Sequence, residues 1–249
     1  MSTASMAATP TSGAGFGRLP YLRVDDVQGM PRFIWYPTNA PEHAVSVGRL
    51  RIEAGKDAPP LPGLHPLIVF SHGPGGWSMS HWKTARYFAR RGYVVLALIH
   101  GNDDVGNSRS SSTLAVWQSR PKEWSAALDT LLASQFAALV DRSRIVAMGF
   151  SAGGYTALTV GGARPSSLVL DDYCLAHSEQ RDVLCLGLPN QPAAERKPGQ
   201  REETLGLSED ARVRAVVAMA PPGAALFTRQ GIESIKISVL LLQGIRACS

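Results

Sequence analysis

The sequence predicts an α/β fold in which a mostly parallel central sheet has helices on both faces. Two observations carry this prediction. Short apolar runs rich in β-branched residues alternate with segments of helical periodicity, and 45% of the 249 residues are apolar while 18% are charged. A chain of this length can bury one large core, so we expect a single domain over 18–249. The first 17 residues are small and polar, and we expect a disordered leader over 1–17.

The elements of the first half follow from local patterns. Phe33–Pro37 and Gly48–Glu53 have short β-type patterns separated by turn sequence, which predicts the first antiparallel strands. Leu67–Phe70 is a continuous apolar run, typical of a strand covered on both faces. Helical spacing of apolar residues then predicts a helix over His81–Arg91, and Tyr93–Ile99 is the next buried strand.

The second half continues the alternation of helices and strands. We expect these elements over Pro121–Leu132, Ile145–Phe150, Ala152–Val160, Val213–Ala220 and Ile237–Leu242. Pro121 is expected at the first position of its helix, where a missing N–H costs nothing. The stretch from Ala163 to Asp210 breaks the pattern, and we expect an irregular insertion over 163–210 that caps a site or forms a surface loop.

A pentapeptide between a predicted strand and a predicted helix is the candidate catalytic feature. Gly149-Phe150-Ser151-Ala152-Gly153 has the spacing of a nucleophile elbow, a sharp turn that holds a serine hydroxyl above a sheet. The two glycines give the room that the sharp turn needs next to its neighbours. Ser151 is therefore the candidate nucleophile.

Charge and composition argue against several other functions. The formal net charge of +5 is dispersed along the chain, and no basic block indicates a nucleic-acid site. No run approaches the ~18 apolar residues of a membrane span. Histidines and carboxylates do not cluster at metal-ligand spacing, and we expect no cofactor and no metal. The N-terminus does not have the pattern of an export signal, so we expect a cytoplasmic protein.

The cysteines lie at positions 174, 185 and 248, a spacing that fits no zinc site. In a cytosol we expect free thiols. In an oxidising compartment Cys174 and Cys185 could close a small loop.

Six stretches carry a family resemblance. They are Trp35–Thr38, Ser71-His72-Gly73-Pro74-Gly75-Gly76, Arg120-Pro121, Gly149–Gly154, Asp172-Tyr173-Cys174 and Val213–Pro221. With them the chain resembles an α/β-hydrolase over roughly Gly17 to Gln243. Within that superfamily it is most similar to bacterial predicted dienelactone hydrolases, which are related to platelet-activating-factor acetylhydrolases. The resemblance implies a serine hydrolase of small-molecule carboxylic esters or lactones.

The resemblance also implies a Ser-Asp-His triad in which Ser151 attacks and a later acid and histidine follow. The turn where the acid is expected reads Gly244-Ile245-Arg246-Ala247, with alanine at the acid position. An alternative acid position at the end of Ala218–Pro221 has no carboxylate either, and no histidine follows. We therefore expect a truncated or frame-shifted copy that lacks the last strand and helix and has impaired turnover.

The oxyanion hole needs two N–H donors. The resemblance implies Ala152 as one of them and Pro74 as the other, but proline has no N–H. Either Gly75 donates through a shifted loop, or the hole has one donor fewer.

Two alternatives stay open beside the shortened hydrolase. One is a noncatalytic ligand-binding protein that keeps the pocket. The other is a rewired esterase in which His100 acts as base with Asp103, both of which follow a strand at the ligand-binding edge of the sheet. His72 is expected to order the oxyanion loop instead. A missing last strand would leave 237–242 as an exposed apolar edge, from which we expect self-association.

Overall fold

The computed structural model describes residues 13–19, 32–101, 103–107, 113–177, 179, 182, 184–185 and 205–244. Its strands are β1 (Gly13–Leu19), β2 (Arg32–Thr38), β3 (His43–Val47), β4 (Leu50–Lys56), β5 (His65–Ser71), β6 (Val94–Ala97), β7 (Val140–Phe150), β8 (Val213–Met219) and β9 (Ser238–Leu242). Its helices are α1 (Trp82–Ala89), α2 (Leu114–Leu132), α3 (Ala152–Val160), α4 (Ser167–Ala176), α5 (Gly223–Leu226) and α6 (Arg229–Glu233). None of the helices in these ranges is long and apolar enough to span a membrane.

The strands form one sheet in the order β3-β4-β1-β2-β6-β5-β7-β8-β9. Five neighbouring strands of this order, β6, β5, β7, β8 and β9, are parallel. Strand β2 pairs antiparallel with β6 at their edge. Alternate residues of β5 enter different cores: Leu67 lies with helices α2 and α3, whereas Ile68 lies with α1. Helices therefore cover both faces of a mostly parallel sheet, and the predicted fold class is confirmed.

The N-terminal boundary of the domain was predicted incorrectly. Gly13–Leu19 is a strand that pairs with β2 and β4, so the leader expected over 1–17 is wrong from Gly13 onward, while residues 1–12 lie outside the described residues. The Phe16 ring lies 4.8 Å from that of Phe33. A Cβ on Gly15 would lie 2.2 Å from the ring of Tyr36. The small residues that suggested disorder therefore allow the strand to pack closely.

The helix before the elbow strand starts earlier than predicted. Helix α2 begins at Leu114 and is capped by Thr113, whose side chain accepts a hydrogen bond from the N–H of Val116. Pro121 lies inside this helix. Proline cannot donate to the carbonyl four residues earlier. That carbonyl, of Trp117, accepts a hydrogen bond of 3.0 Å from the Tyr155 hydroxyl of α3 instead. The interior proline thus frees an acceptor that joins α2 to the helix after the elbow.

The insertion expected over 163–210 is more regular at its start than predicted. Helix α4 (Ser167–Ala176) lies there, and its Cys174 forms a disulfide with Cys185. The expectation of free thiols at these two positions is therefore wrong. Residues 186–204 lie outside the described residues.

Candidate active site

Ser151 occupies a strained turn between β7 and α3. Its φ of 54° and ψ of −119° lie where a side chain is seldom found, and such strain often marks functional positions. Its N–H donates to the carbonyl of Met219 at 2.8 Å, which ties the turn to the end of β8. A Cβ on Gly149 would lie 2.0 Å from the carbonyl oxygen of Gly153, so this tight bend requires glycine.

Ser151 is partly exposed and, within the described residues, its hydroxyl has no hydrogen-bond partner. Ala152 follows as the first residue of α3, where N–H groups have no acceptor within the helix. The positive end of the helix dipole favours negative charge at this place. An oxyanion formed beside Ser151 would therefore find a donor and a favourable potential.

The segment His72–Gly76, here called the glycine loop, lies against the elbow. A Cβ on Gly73 would come within 3.5 Å of the Ser151 Cβ. Pro74 has no N–H, and the N–H of Gly75 donates to Asp103 Oδ1 at 3.0 Å. Neither of the loop residues predicted for the oxyanion hole thus offers a free donor in this arrangement. The N–H of Gly73 has no acceptor among the described residues, and sequence reasoning missed it as a candidate.

His72 is held within the loop and has no free lone pair. Its Nδ1 lies 2.7 Å from the carbonyl oxygen of Gly73, which can only accept, so Nδ1 carries the proton. Its Nε2 accepts the backbone N–H of His100 at 3.1 Å. Burial lowers the pKa of His72 well below its usual value, with Arg120 adding to the effect. A neutral imidazole that joins the loop to His100, three residues after β6, supports the expected ordering role.

His100 does not face Ser151 as the rewired triad requires. Its Nε2 lies 2.6 Å from Ser71 Oγ, and its Nδ1 lies 2.7 Å from Glu123 Oε2. Both ring nitrogens are therefore occupied in a fully buried ring. The Asp103 carboxylate accepts hydrogen bonds from Gly75 and Arg120 and does not contact the His100 ring. The geometry argues against a triad of Ser151, His100 and Asp103.

Glu123 is a site residue that the sequence did not reveal. Burial raises its pKa to about 7, although Arg120 opposes this shift, and burial lowers the pKa of His100 well below its usual value. A protonated carboxyl or a donating imidazole can each satisfy the hydrogen bond between them. The sequence feature that could have indicated Glu123 is its position three residues after Arg120, which places both residues on the same side of α2.

Arg120 is fully buried and pairs with Asp103, which is also fully buried. Its guanidinium also donates to the backbone carbonyl of His72, and its Nε donates to Thr156 Oγ1 at 3.2 Å. Burial lowers the pKa of Arg120, and Asp103 partly offsets that effect. A buried charge is tolerated only when it is paired and hydrogen-bonded, as this one is.

A groove of about 440 Å³ lies beside α3 on the side of β8 and β9. Its lining is mostly apolar and includes Leu158, Pro221, Ile232 and Leu241. Pro221 also lies against the nucleophile helix, because a Cβ on Gly154 would be 3.0 Å from its Cβ. The described residues contain no cluster of three or more side chains suited to a metal ion.

Comparisons with known proteins agree with this architecture. Residues 77–167 match the prolyl oligopeptidase family, peptidase S9. A solved structure, the ferulic acid esterase from Streptomyces cinnamoneus, is similar with a TM-score of 0.57 and 21% identity, covering 95% of this chain and 67% of that one. A search of curated proteins gave no match. The protein has the α/β-hydrolase fold.

Proposed function

We propose that this protein is a serine hydrolase in which Ser151 is acylated by carboxylic esters or lactones of small molecules. The observation that carries the proposal is the strained elbow, which presents a hydroxyl without a hydrogen-bond partner in the described structure beside the first turn of α3. The matched peptidase family and the similar esterase fold support acyl transfer as the class of reaction.

In the proposed reaction, Ser151 Oγ attacks the carbonyl carbon, its hydroxyl proton passes to solvent water, and the carbonyl electrons move onto oxygen. The N–H of Ala152 donates to that oxygen, and we assign the second donor to Gly73 because Pro74 and Gly75 have no free N–H to offer. The tetrahedral intermediate then collapses, the alkoxide oxygen leaves the carbonyl carbon and takes up a proton from solvent, and the acyl-enzyme remains for water to hydrolyse.

We propose that turnover is slow. The proton of Ser151 needs an acceptor, and the part of the chain that the structure describes places no histidine on its hydroxyl. Loss of a triad partner lowers the rate constant by ~10⁴ to 10⁶ but leaves ~10³ to 10⁴ over water. Acylation by an activated ester should therefore stay measurable.

For the substrate, we propose an ester or lactone with an apolar acyl part that enters the groove beside α3. The apolar lining of the groove and the contact of Pro221 with Gly154 support this placement. The resemblance to dienelactone hydrolases agrees with a small substrate. The name of the similar ferulic acid esterase also agrees with an ester.

A noncatalytic binding protein is the second candidate, and the lack of a proton acceptor on Ser151 in the described residues favours it.

One experiment separates the serine hydrolase from the noncatalytic binding protein. The protein, Ser151→Ala and the surface control Ser143→Ala are mixed with p-nitrophenyl acetate, and released nitrophenol and acetylated peptides are measured. The proposal expects a stoichiometric burst with acetyl on Ser151 in all but Ser151→Ala. No burst and no acetylation would favour the noncatalytic protein.

A further inference from the structure

We propose that Arg120 is a positioning residue that holds the two sides of the oxyanion site in register. One side is the start of α3, with Ser151 and Ala152, and the other is the glycine loop. The inference rests on the proposed function, because it concerns where that function's backbone donors lie.

The first contact of Arg120 fixes the start of the glycine loop. The Arg120 side chain is fully buried, and its Nη2 donates to the carbonyl oxygen of His72. That carbonyl belongs to the peptide unit whose nitrogen is Gly73 N. A constraint on the His72 carbonyl is therefore also a constraint on the direction of the Gly73 N–H, because the peptide unit is planar.

The second contact reaches further along the loop through Asp103. Its Oδ2 accepts from Arg120 Nη1, and its Oδ1 accepts the N–H of Gly75 at 3.0 Å. Gly75 has a φ of +62°, a left-handed conformation that glycine adopts easily. The ion pair thus fixes the loop at a second point, beyond Pro74.

The third contact joins Arg120 to the nucleophile helix. Its Nε donates to Thr156 Oγ1 at 3.2 Å, and that hydroxyl donates to the carbonyl of Ala152 at 3.0 Å. A chain of hydrogen bonds therefore runs from the His72 carbonyl through Arg120 and Thr156 to Ala152. One end lies in the peptide unit that contains the Gly73 N–H, and the other end is the carbonyl of Ala152, the residue whose own N–H is the other proposed donor.

The contacts of Arg120 are better explained by a role in positioning the oxyanion donors than by a contribution to the stability of the fold. Buried ion pairs are often no more stabilising than apolar residues of similar volume. Donors to an oxyanion, by contrast, must lie 2.7–3.1 Å from the developing charge, and displacement of ~1 Å costs ~10² in rate. A planar guanidinium with a rigid set of donors suits this task.

The test compares the protein with Arg120→Met/Asp103→Leu, which removes both buried charges and leaves no unpaired carboxylate. Arg120→Lys keeps the charge but cannot reach His72, Asp103 and Thr156 together, and Arg144→Met removes a surface ion pair as the control. A fluorophosphonate probe gives the rate constant of Ser151 phosphonylation and the half-saturating probe concentration. Amide exchange over residues 72–76 is measured on the same samples.

We expect the double variant and Arg120→Lys to be phosphonylated ~10²-fold more slowly, with little change in half-saturating concentration and faster amide exchange in the loop. Arg144→Met should match the parent. A folded double variant within threefold of the parent rate, or full recovery by Arg120→Lys, would overturn the proposal. If the parent is not phosphonylated, the proposed function fails instead. In that case faster amide exchange over residues 72–76 in the double variant would still support the ordering role of Arg120, and unchanged exchange would overturn it.

Discussion

Gly153 lies so close to Ser71 that a Cβ on the glycine would be 2.0 Å from the serine's carbonyl oxygen. The contact joins the first turn of α3 to the end of β5, where the glycine loop begins. We expect Gly153→Ala to lower the unfolding free energy by about 1–3 kcal/mol, because backbone on both sides would have to move. Gly206→Ala is the matched control, since a Cβ there meets nothing within 4 Å. Equal stability of the two variants in urea unfolding would contradict this packing.

Titration of buried groups gives a prediction about pH. Burial raises the pKa of Glu123 to about 7 from 4.5, so its contribution to stability is present below the lower value and is lost as pH rises through the higher one. The lowered pKa values of His72 and His100 have the opposite effect on stability, which they reduce as pH falls below about 6.5. The reason is that the unfolded chain takes up protons at these histidines before the folded chain does.

The variant Glu123→Gln separates these contributions. It removes the carboxyl and leaves the histidines, so we expect its unfolding free energy to fall more steeply on acidification from about pH 7 to pH 5. The difference from the parent should be about 2 kcal/mol. Urea unfolding over this pH range measures it, and parallel curves for parent and variant would contradict the prediction.

The disulfide between Cys174 and Cys185 joins α4 to a residue eleven positions later. We expect Cys174→Ala/Cys185→Ala to lose about 2–4 kcal/mol of unfolding free energy. Thiol titration of the unfolded protein without reductant should find one free thiol out of three cysteines. Three free thiols would contradict the disulfide. The cytoplasmic location remains a prediction, and a disulfide in protein taken directly from cells would argue against it.

Strand β9 presents an apolar edge, with Val239, Leu240, Leu241 and Leu242 between 41% and 56% exposed. In the described structure it pairs only with β8. Such edges pair with other chains, so we expect self-association at tens of micromolar that Leu240→Lys weakens. Leu64→Lys is the control, because Leu64 is 63% exposed but lies before β5. A monomer in sedimentation velocity at these concentrations would contradict the expectation.

The sequence revealed the features that depend on local pattern. The β-branched runs of β5, β7 and β8 and the glycine spacing around Ser151 are readable because they reflect backbone geometry over a few residues. The predicted bounds of α3, Ala152–Val160, match the structure for the same reason.

The remaining site features are contacts between distant residues. The bonds of Arg120 to His72 and of His100 to Glu123 span 48 and 23 positions, and no periodicity encodes them. Strand β1 was missed because close packing under Tyr36 selects glycines, which also suggest disorder. Pro121 was misplaced because the Tyr155 hydroxyl, in another helix, takes the acceptor that an interior proline leaves free.

The most direct test of the central claim is to identify the residue that a fluorophosphonate probe modifies. We expect tandem mass spectrometry to find the phosphonyl group on Ser151, and Ser151→Ala to remain unmodified while keeping the parent's unfolding midpoint. Modification at another residue, or none in the folded parent protein, would contradict the assignment of Ser151 as the nucleophile.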